Sequence, residues 1–285
     1  MLINTKINKD ESFVDWCIST AKEIFGFDLN WQQIRLLECL DDNNYTIVKS
    51  FRCAGLTTIF ILKVAYDITH IINNDEHRIL FVSQGNCSAK NSLTLLMKIL
   101  DCCQEPIYCQ KINQSIVKLS YNENNITIRF SGPNIKNDLR GEKQYNDLYI
   151  DDCAFIDTCY KEDCIKNEIN NYKSYDKIII GSTPNRQEGI FYDIWSFSEP
   201  KYSIFEPFAL KWYFDDRFNK NLKYRKNKML YDIKNSGMLC DALQNNFEIT
   251  NEWRENMKKM IGNNIYTEID SNFIISVQED PLIFS

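Results

Sequence analysis

Two clusters of side chains in this chain have the types and spacing needed to handle phosphate. The first is the run Val48, Lys49, Ser50, Phe51, Arg52, Cys53, Ala54, Gly55, Leu56, Thr57, Thr58. A phosphate-binding loop of the pattern GxxxxGK[ST] wraps phosphates in backbone N–H groups, sets a lysine on the β and γ phosphates, and uses the next hydroxyl to hold Mg²⁺. Gly55 and the hydroxyls of Thr57 and Thr58 keep that outline, but Leu56 stands where the lysine belongs. The second cluster is Asp151-Asp152, which closes the apolar run Tyr149-Ile150. Adjacent carboxylates at a strand end suit a division of labour in which the first holds Mg²⁺ and the second orients an attacking water. Asp152 is one methylene shorter than the glutamate usual in that role, so the water must sit closer or be bridged. Ser182 and Thr183, at the end of a third apolar run, add small hydroxyl side chains.

These groups need a scaffold that brings distant strand ends together. Apolar runs predict strands at 45 to 49, 78 to 83, 147 to 151 and 176 to 182, and the 3.6-residue period predicts helices at 57 to 70, 88 to 101, 161 to 171 and 188 to 197. Helices at 11 to 25 and 31 to 40 precede the sheet, and alternation around the polar turn 122 to 125 predicts a hairpin of 115 to 120 with 126 to 131. This order implies an α/β fold with a mostly parallel central sheet flanked by helices. Ligands in such sheets bind beyond the carboxyl ends of the strands, where all three polar clusters fall.

The ordered string of motifs resembles the ATPase domain of the large terminase subunit of tailed phages, most closely the T-even type, a P-loop NTPase of the ASCE kind. The resemblance covers roughly residues 28 to 250. It runs from Trp31-Gln32 through the Arg52 to Thr58 loop, Leu139-Arg140-Gly141 and Tyr149-Ile150-Asp151-Asp152-Cys153-Ala154-Phe155-Ile156 to Ser182-Thr183-Pro184-Asn185 and Phe191-Tyr192-Asp193-Ile194-Trp195. It implies ATP and Mg²⁺ as cofactors. The nucleotide would be held by Trp31, Gln32, Lys49, Ser50, Arg52, Cys53, Ala54, Gly55, Leu56, Thr57, Thr58, Asp151 and Thr183, with Thr57 and Asp151 on the metal. Asp152, Arg52, Arg140 and Lys49 would carry the chemistry. The implied activity is ATP hydrolysis driving packaging of viral double-stranded DNA; the alternative is a terminase-like scaffold that binds nucleotide or partner subunits without turnover.

Several residues have two readings. Lys49-Ser50-Phe51-Arg52 is similar to the deviant loop of some terminases, in which the lysine sits at the loop's start, and a flexible four-carbon stem suits that reach; otherwise Lys49 is a solvated strand terminus. Trp31 either stacks a base or packs a helix, while the Gln32 amide matches adenine's donor and acceptor edge. Arg52 meets the γ phosphate or the carboxylates, or else forms a surface ion pair of small worth. Arg140 resembles the arginine that completes a neighbouring subunit's site, or is a solvated loop residue. Ser182 and Thr183 sense the γ phosphate or cap the helix that follows.

Composition fits an intracellular globular protein: 44% hydrophobic and 25% charged residues over 285 positions provide core for one domain. That domain is expected over 1 to 250, the helices within 11 to 40 included, with 251 to 285 forming a C-terminal helix and tail too short for the nuclease of complete terminases. Eleven cysteines are expected as thiols, and with only two histidines and no paired CxxC spacing they do not suggest zinc. No apolar run reaches the roughly 18 residues of a membrane span, so the expected location is the host cytoplasm or the site of viral assembly, the nucleus included for a eukaryotic host. A net charge of −6 argues against a chain that coats nucleic acid with its whole surface. Arg217, Lys220, Lys223, Arg225, Lys226, Lys228 and Lys234, interleaved with Tyr224 and Tyr231, read as a basic helical stretch able to follow a phosphate backbone. The expected partners are double-stranded DNA, a portal or procapsid, other packaging subunits, further copies in a ring or a separate nuclease subunit, and no membrane.

Overall fold

The computed structural model describes residues 11–70, 76–102, 108–111, 115–121, 124–133, 144–156 and 159–271. Two helices lead, α1 (Phe13–Phe25) and α2 (Trp31–Asp42), followed by β1 (Tyr45–Lys49), α3 (Leu56–His70), β2 (His77–Ser83) and α4 (Asn86–Leu100). A meander of β3 (Tyr108–Lys111), β4 (Ile116–Tyr121) and β5 (Asn124–Ser131) leads on to β6 (Asp147–Asp151), α5 (Cys159–Asn170), β7 (Lys177–Ser182), α6 (Ile190–Trp195) and β8 (Glu206–Ala209). The sheet has eight described strands in the order β3-β4-β5-β2-β6-β7-β1-β8. Only the pairs made by β4 are antiparallel; all other pairings in the sheet are parallel.

The central strands read as unbroken apolar runs because both faces of the sheet are covered. The pleat divides them cleanly. Val48, Ile79, Phe81, Tyr149 and Ile179 pack with α1 to α4, whereas Ile47, Leu80, Val82, Leu148, Ile150, Ile178 and Ile180 pack with α5 and α6. Helix α3 lies close on its face because Gly181 has no side chain: a Cβ there would stand 2.6 Å from the Phe60 ring and 2.7 Å from Leu56 Cδ2. Two strands lacked a readable signal. One is β8, which contains Pro207 and is tolerated as an edge strand. The other is β3, four residues long at the opposite edge.

After the sheet the chain builds a smaller unit of β9 (Lys223–Lys226), β10 (Met229–Asp232), α7 (Ser236–Gln244), β11 (Glu248–Thr250), α8 (Glu252–Ile261) and α9 (Ile265–Glu268). Its three strands run antiparallel in the order β10-β9-β11. Here the expectation of a basic helix is corrected. Asn227 and Lys228 both adopt positive φ, 49° and 65°, the geometry of a two-residue hairpin turn, so the stretch folds back as strands before any helical turn forms. A short helix, α9, forms within the segment expected as a C-terminal helix and tail, with Ile265 and Ile269, four residues apart, both fully buried. Residues 272–285 lie outside the described residues.

Candidate nucleotide site

The register of the parallel strands sets the site. Ser83 pairs with Asp151, Asp151 with Gly181, and Lys49 with Ser182, so the carboxyl ends of β2, β6, β7 and β1 form one row. The loop from Ser50 to Gly55 rises from β1 and feeds directly into α3, whose free N–H groups face the same space. Between loop and strand ends lies a cavity of about 470 Å³, lined by residues 50 to 57 together with Gln84, Asp151, Asp152, Phe155, Thr183 and Glu268. The loop holds its shape through Cys53 and Gly55, both at positive φ (69° and 80°). The positive φ favours glycine at Gly55, and a Cβ there would also push on Gln33 Nε2, 2.9 Å away.

Gln33 is a residue that motif reading passed over. Its Oε1 accepts the Asn30 N–H at 3.0 Å to complete the capping box of α2, and its Nε2 donates to the Ala54 carbonyl at 2.8 Å. The amide thus ties the start of α2 to the phosphate loop. An N-cap asparagine with glutamine three residues on was the available signal.

The structure brings Thr57 and Asp151 together: Thr57 Oγ1 donates to Asp151 Oδ2 at 2.7 Å. Asp151 is buried, and burial followed by the neighbouring Asp152 carboxylate pushes its pKa up to about 7. Asp152 sits in the left-handed region at φ 57°, a conformation that aspartate adopts only at some cost and that turns its carboxylate toward the cavity. Burial raises its pKa too, opposed by Arg52. Gln84 Nε2, at the end of β2, donates to Asp152 Oδ2 at 3.3 Å.

Cations are distributed unevenly. Among the described residues that line the cavity, Arg52 is the one basic side chain, and its guanidinium is engaged by the Glu268 carboxylate. The pleat carries Lys49 to the other face of β1: its Nζ stands 4.3 Å above the Trp195 ring of α6, and Lys49 is not part of the cavity lining. Burial and the charge of Lys211 lower its pKa to about 8. Leu56, in the lysine position, is buried against Gly181 and acts as a core residue.

The adenine candidates are placed elsewhere. Gln32 spends both ends of its amide on the main chain of Lys211, accepting from its N–H at 2.9 Å and donating to its carbonyl at 3.0 Å. Trp31 donates from Nε1 to the Phe214 carbonyl at 3.0 Å and leaves half its surface exposed. Neither lines the cavity, nor does Thr58. Thr183 does, while Ser182 Oγ accepts the Ala154 N–H at 3.1 Å and so braces the turn after Asp152. Arg140 lies outside the described residues.

A mostly parallel sheet, a loop running from β1 into α3, and the Thr57–Asp151 pair at the strand ends share the strand–loop–helix layout of P-loop folds. No family model matches the sequence, and no curated protein matches it in sequence. Solved structures match its fold. A variant of the large terminase ATPase domain of Thermus phage P74-26 superposes with a TM-score of 0.58 at 10% identity, covering 89% of this chain and 97% of that one. The large terminase of a thermophilic bacteriophage gives 0.58 at 10% identity over 87% of this chain and 54% of its own, and has also been solved with ADP and with ATP-gamma-S. The large terminase of bacteriophage HK97 gives 0.57 at 11% identity, with 91% and 55% covered. Within the P-loop class, then, the chain has the fold of the large terminase ATPase domain, and it spans about half the length of the intact terminases.

Proposed function

We propose that this chain is the ATP-hydrolysing domain of a motor that packages viral double-stranded DNA. The observation that carries the reading is the Thr57–Asp151 pair facing the loop with Asp152 beside it, within a terminase-type fold. The loop N–H groups and the start of α3 bind the phosphates. Mg²⁺ fits at Thr57 and Asp151, whose hydroxyl and carboxylate lie 2.7 Å apart and supply the oxygen ligands the ion takes. When bound, the ion neutralises charge on the β and γ phosphates.

Asp152 accepts a hydrogen bond from the attacking water and orients it toward the γ phosphorus. The bond from that phosphorus to the bridging oxygen breaks, leaving ADP and inorganic phosphate. Arg52 is the cation placed to stabilise the transferring group; Lys49 reaches the phosphates only by leaving Trp195. Thr183 reports the γ phosphate to α6, and Arg140 acts on a neighbouring copy's nucleotide in a ring. Portal, procapsid and nuclease subunits complete the assembly in the host cytoplasm or nucleus. Among the described residues no helix is long and apolar enough to cross a membrane.

The test is phosphate release by the full chain with and without duplex DNA. DNA-stimulated turnover is expected, with Asp152→Asn lowering kcat by roughly 10² to 10⁴ and Lys49→Ala changing it less than Arg52→Ala. Turnover that is absent in the wild type, or unchanged by Asp152→Asn, would sink the hydrolase reading.

A further inference from the structure

The phosphate loop already has an anionic occupant, and it comes from the same chain. Arg52, in the loop that lines the cavity, offers two donors, the backbone N–H and the guanidinium. Glu268 takes both: its main-chain carbonyl accepts the Arg52 N–H, and its carboxylate pairs with the guanidinium. This side chain lies at the end of α9, is 15% exposed against 58% for Arg52, and lines the cavity with Asp151 and Asp152. We propose that Glu268 is an internal ligand of the phosphate loop, which a nucleoside triphosphate must displace in order to bind. The proposal rests on the nucleotide reading of the cavity and adds a regulation to it.

Charge and geometry set Glu268 and a phosphate in competition for Arg52. Among the described residues, the lining holds three carboxylates, Asp151, Asp152 and Glu268, against a single guanidinium. A polyphosphate brings several further negative charges within a few ångströms, in a partly buried space where such charges repel strongly. Mg²⁺ at Thr57 and Asp151 would offset part of that charge, but the one guanidinium of the lining cannot pair with Glu268 and a phosphate at once, and phosphate oxygens offer it a bidentate geometry that matches a carboxylate's.

Displacement need not unfold the segment. Ile265 and Ile269 are fully buried, and two residues past Glu268 the Asp270 carboxylate accepts from Arg254 Nε and Nη2 at 2.8 and 2.6 Å and from Trp212 Nε1 at 3.2 Å. Glu268 therefore sits in a segment anchored on both sides, where its contacts with Arg52 can open locally. Arg254 also donates to Glu248 at 2.8 Å, and Glu248 accepts from Arg225 of the hairpin at 2.9 Å. Arg254 thus joins Asp270, two residues from Glu268, to the basic hairpin through Glu248 and Arg225.

The experiment is calorimetric titration of the full chain with Mg²⁺ and ATP-gamma-S in wild type, Glu268→Gln and Glu268→Ala, together with hydrogen exchange of residues 262–271. The expected result is binding about three- to tenfold tighter in both variants, since removing a competing internal contact raises the competent fraction; in the wild type, exchange of the segment rises when ligand binds. Glu268→Gln keeps the side chain's shape and the main-chain contact, so it guards against a loss of fold in the alanine variant. Wild-type binding with equal or weaker affinity in Glu268→Gln overturns the internal ligand alone. No binding in any variant of unchanged melting temperature overturns the nucleotide site, and the internal ligand with it.

Discussion

At Asp151 a single carboxylate reports both burial and function. Its pKa of about 7 lies above the ordinary 3.8, raised first by burial and then by Asp152. Between those two values the folded chain holds a proton that the unfolded chain has lost. The native state is therefore favoured at the lower end of that window, and stability falls as pH rises toward 7, by at most about 1.4 kcal/mol per pH unit for one such group. Asp151→Asn keeps an acceptor for Thr57 and removes the titration, so its stability should vary less between pH 5 and 7 than that of the wild type. Urea midpoints over that range measure the difference, and parallel curves would show that Asp151 is ionised throughout. Because Mg²⁺ needs the ionised form, nucleotide binding should release a proton below neutral pH.

The elements are fastened together at the opposite end of the sheet from the cavity. Asp67, on α3, is held by Lys63 Nζ at 2.7 Å, by Lys177 Nζ of β7 at 2.7 Å and by the Tyr149 hydroxyl of β6 at 2.9 Å. Burial pushes the Asp67 carboxyl up, but the two ammonium groups outweigh it and hold the carboxyl below its usual range. Asp67→Asn keeps the shape and strips the negative charge, leaving the buried Lys63 ammonium and the partly buried Lys177 ammonium without the carboxylate that pairs them. A loss of about 3 to 5 kcal/mol is expected, the usual cost of removing one partner from a buried ion pair. Guanidinium denaturation measures it, and a loss under about 1 kcal/mol would mean that water already solvates the cluster. The cluster fixes α3 to the strands whose other ends carry Asp151 and Thr183, so weakening it should blur the site without touching it.

Over the whole molecule, charge is segregated: the net balance is −6, yet the hairpin of β9 and β10 is basic. Arg225 and Lys223 are engaged by Glu248 and Asp232, leaving Lys226 and Lys228 exposed at the tip beside the stacked rings of Tyr224 and Tyr231, 5.2 Å apart. If this hairpin meets the DNA backbone, Lys226→Glu with Lys228→Glu should weaken duplex binding and reduce the slope of log affinity against log salt by about 0.9 for each phosphate the lysines had neutralised. Fluorescence anisotropy at several salt concentrations reads this directly, and an unchanged slope would move the DNA-binding surface elsewhere.

What could be read along the chain was local: apolar runs named the strands β1, β2, β6 and β7, and Gly55, Thr57, Asp151 and Asp152 stood out as residues that the fold gathers at one cavity, because strand period and loop chemistry are set by neighbouring residues. What the tertiary structure decided depends on groups far apart in sequence. The pleat and the packing of α6 turned Lys49 onto Trp195; the main chain of Lys211 claimed the Gln32 amide; Gln33 reached the loop across 21 residues. Glu268 met Arg52 across 216 residues. No spacing rule encodes such meetings, because a side chain's partner is fixed by whichever buried donor or charge the folded chain would otherwise leave unsatisfied.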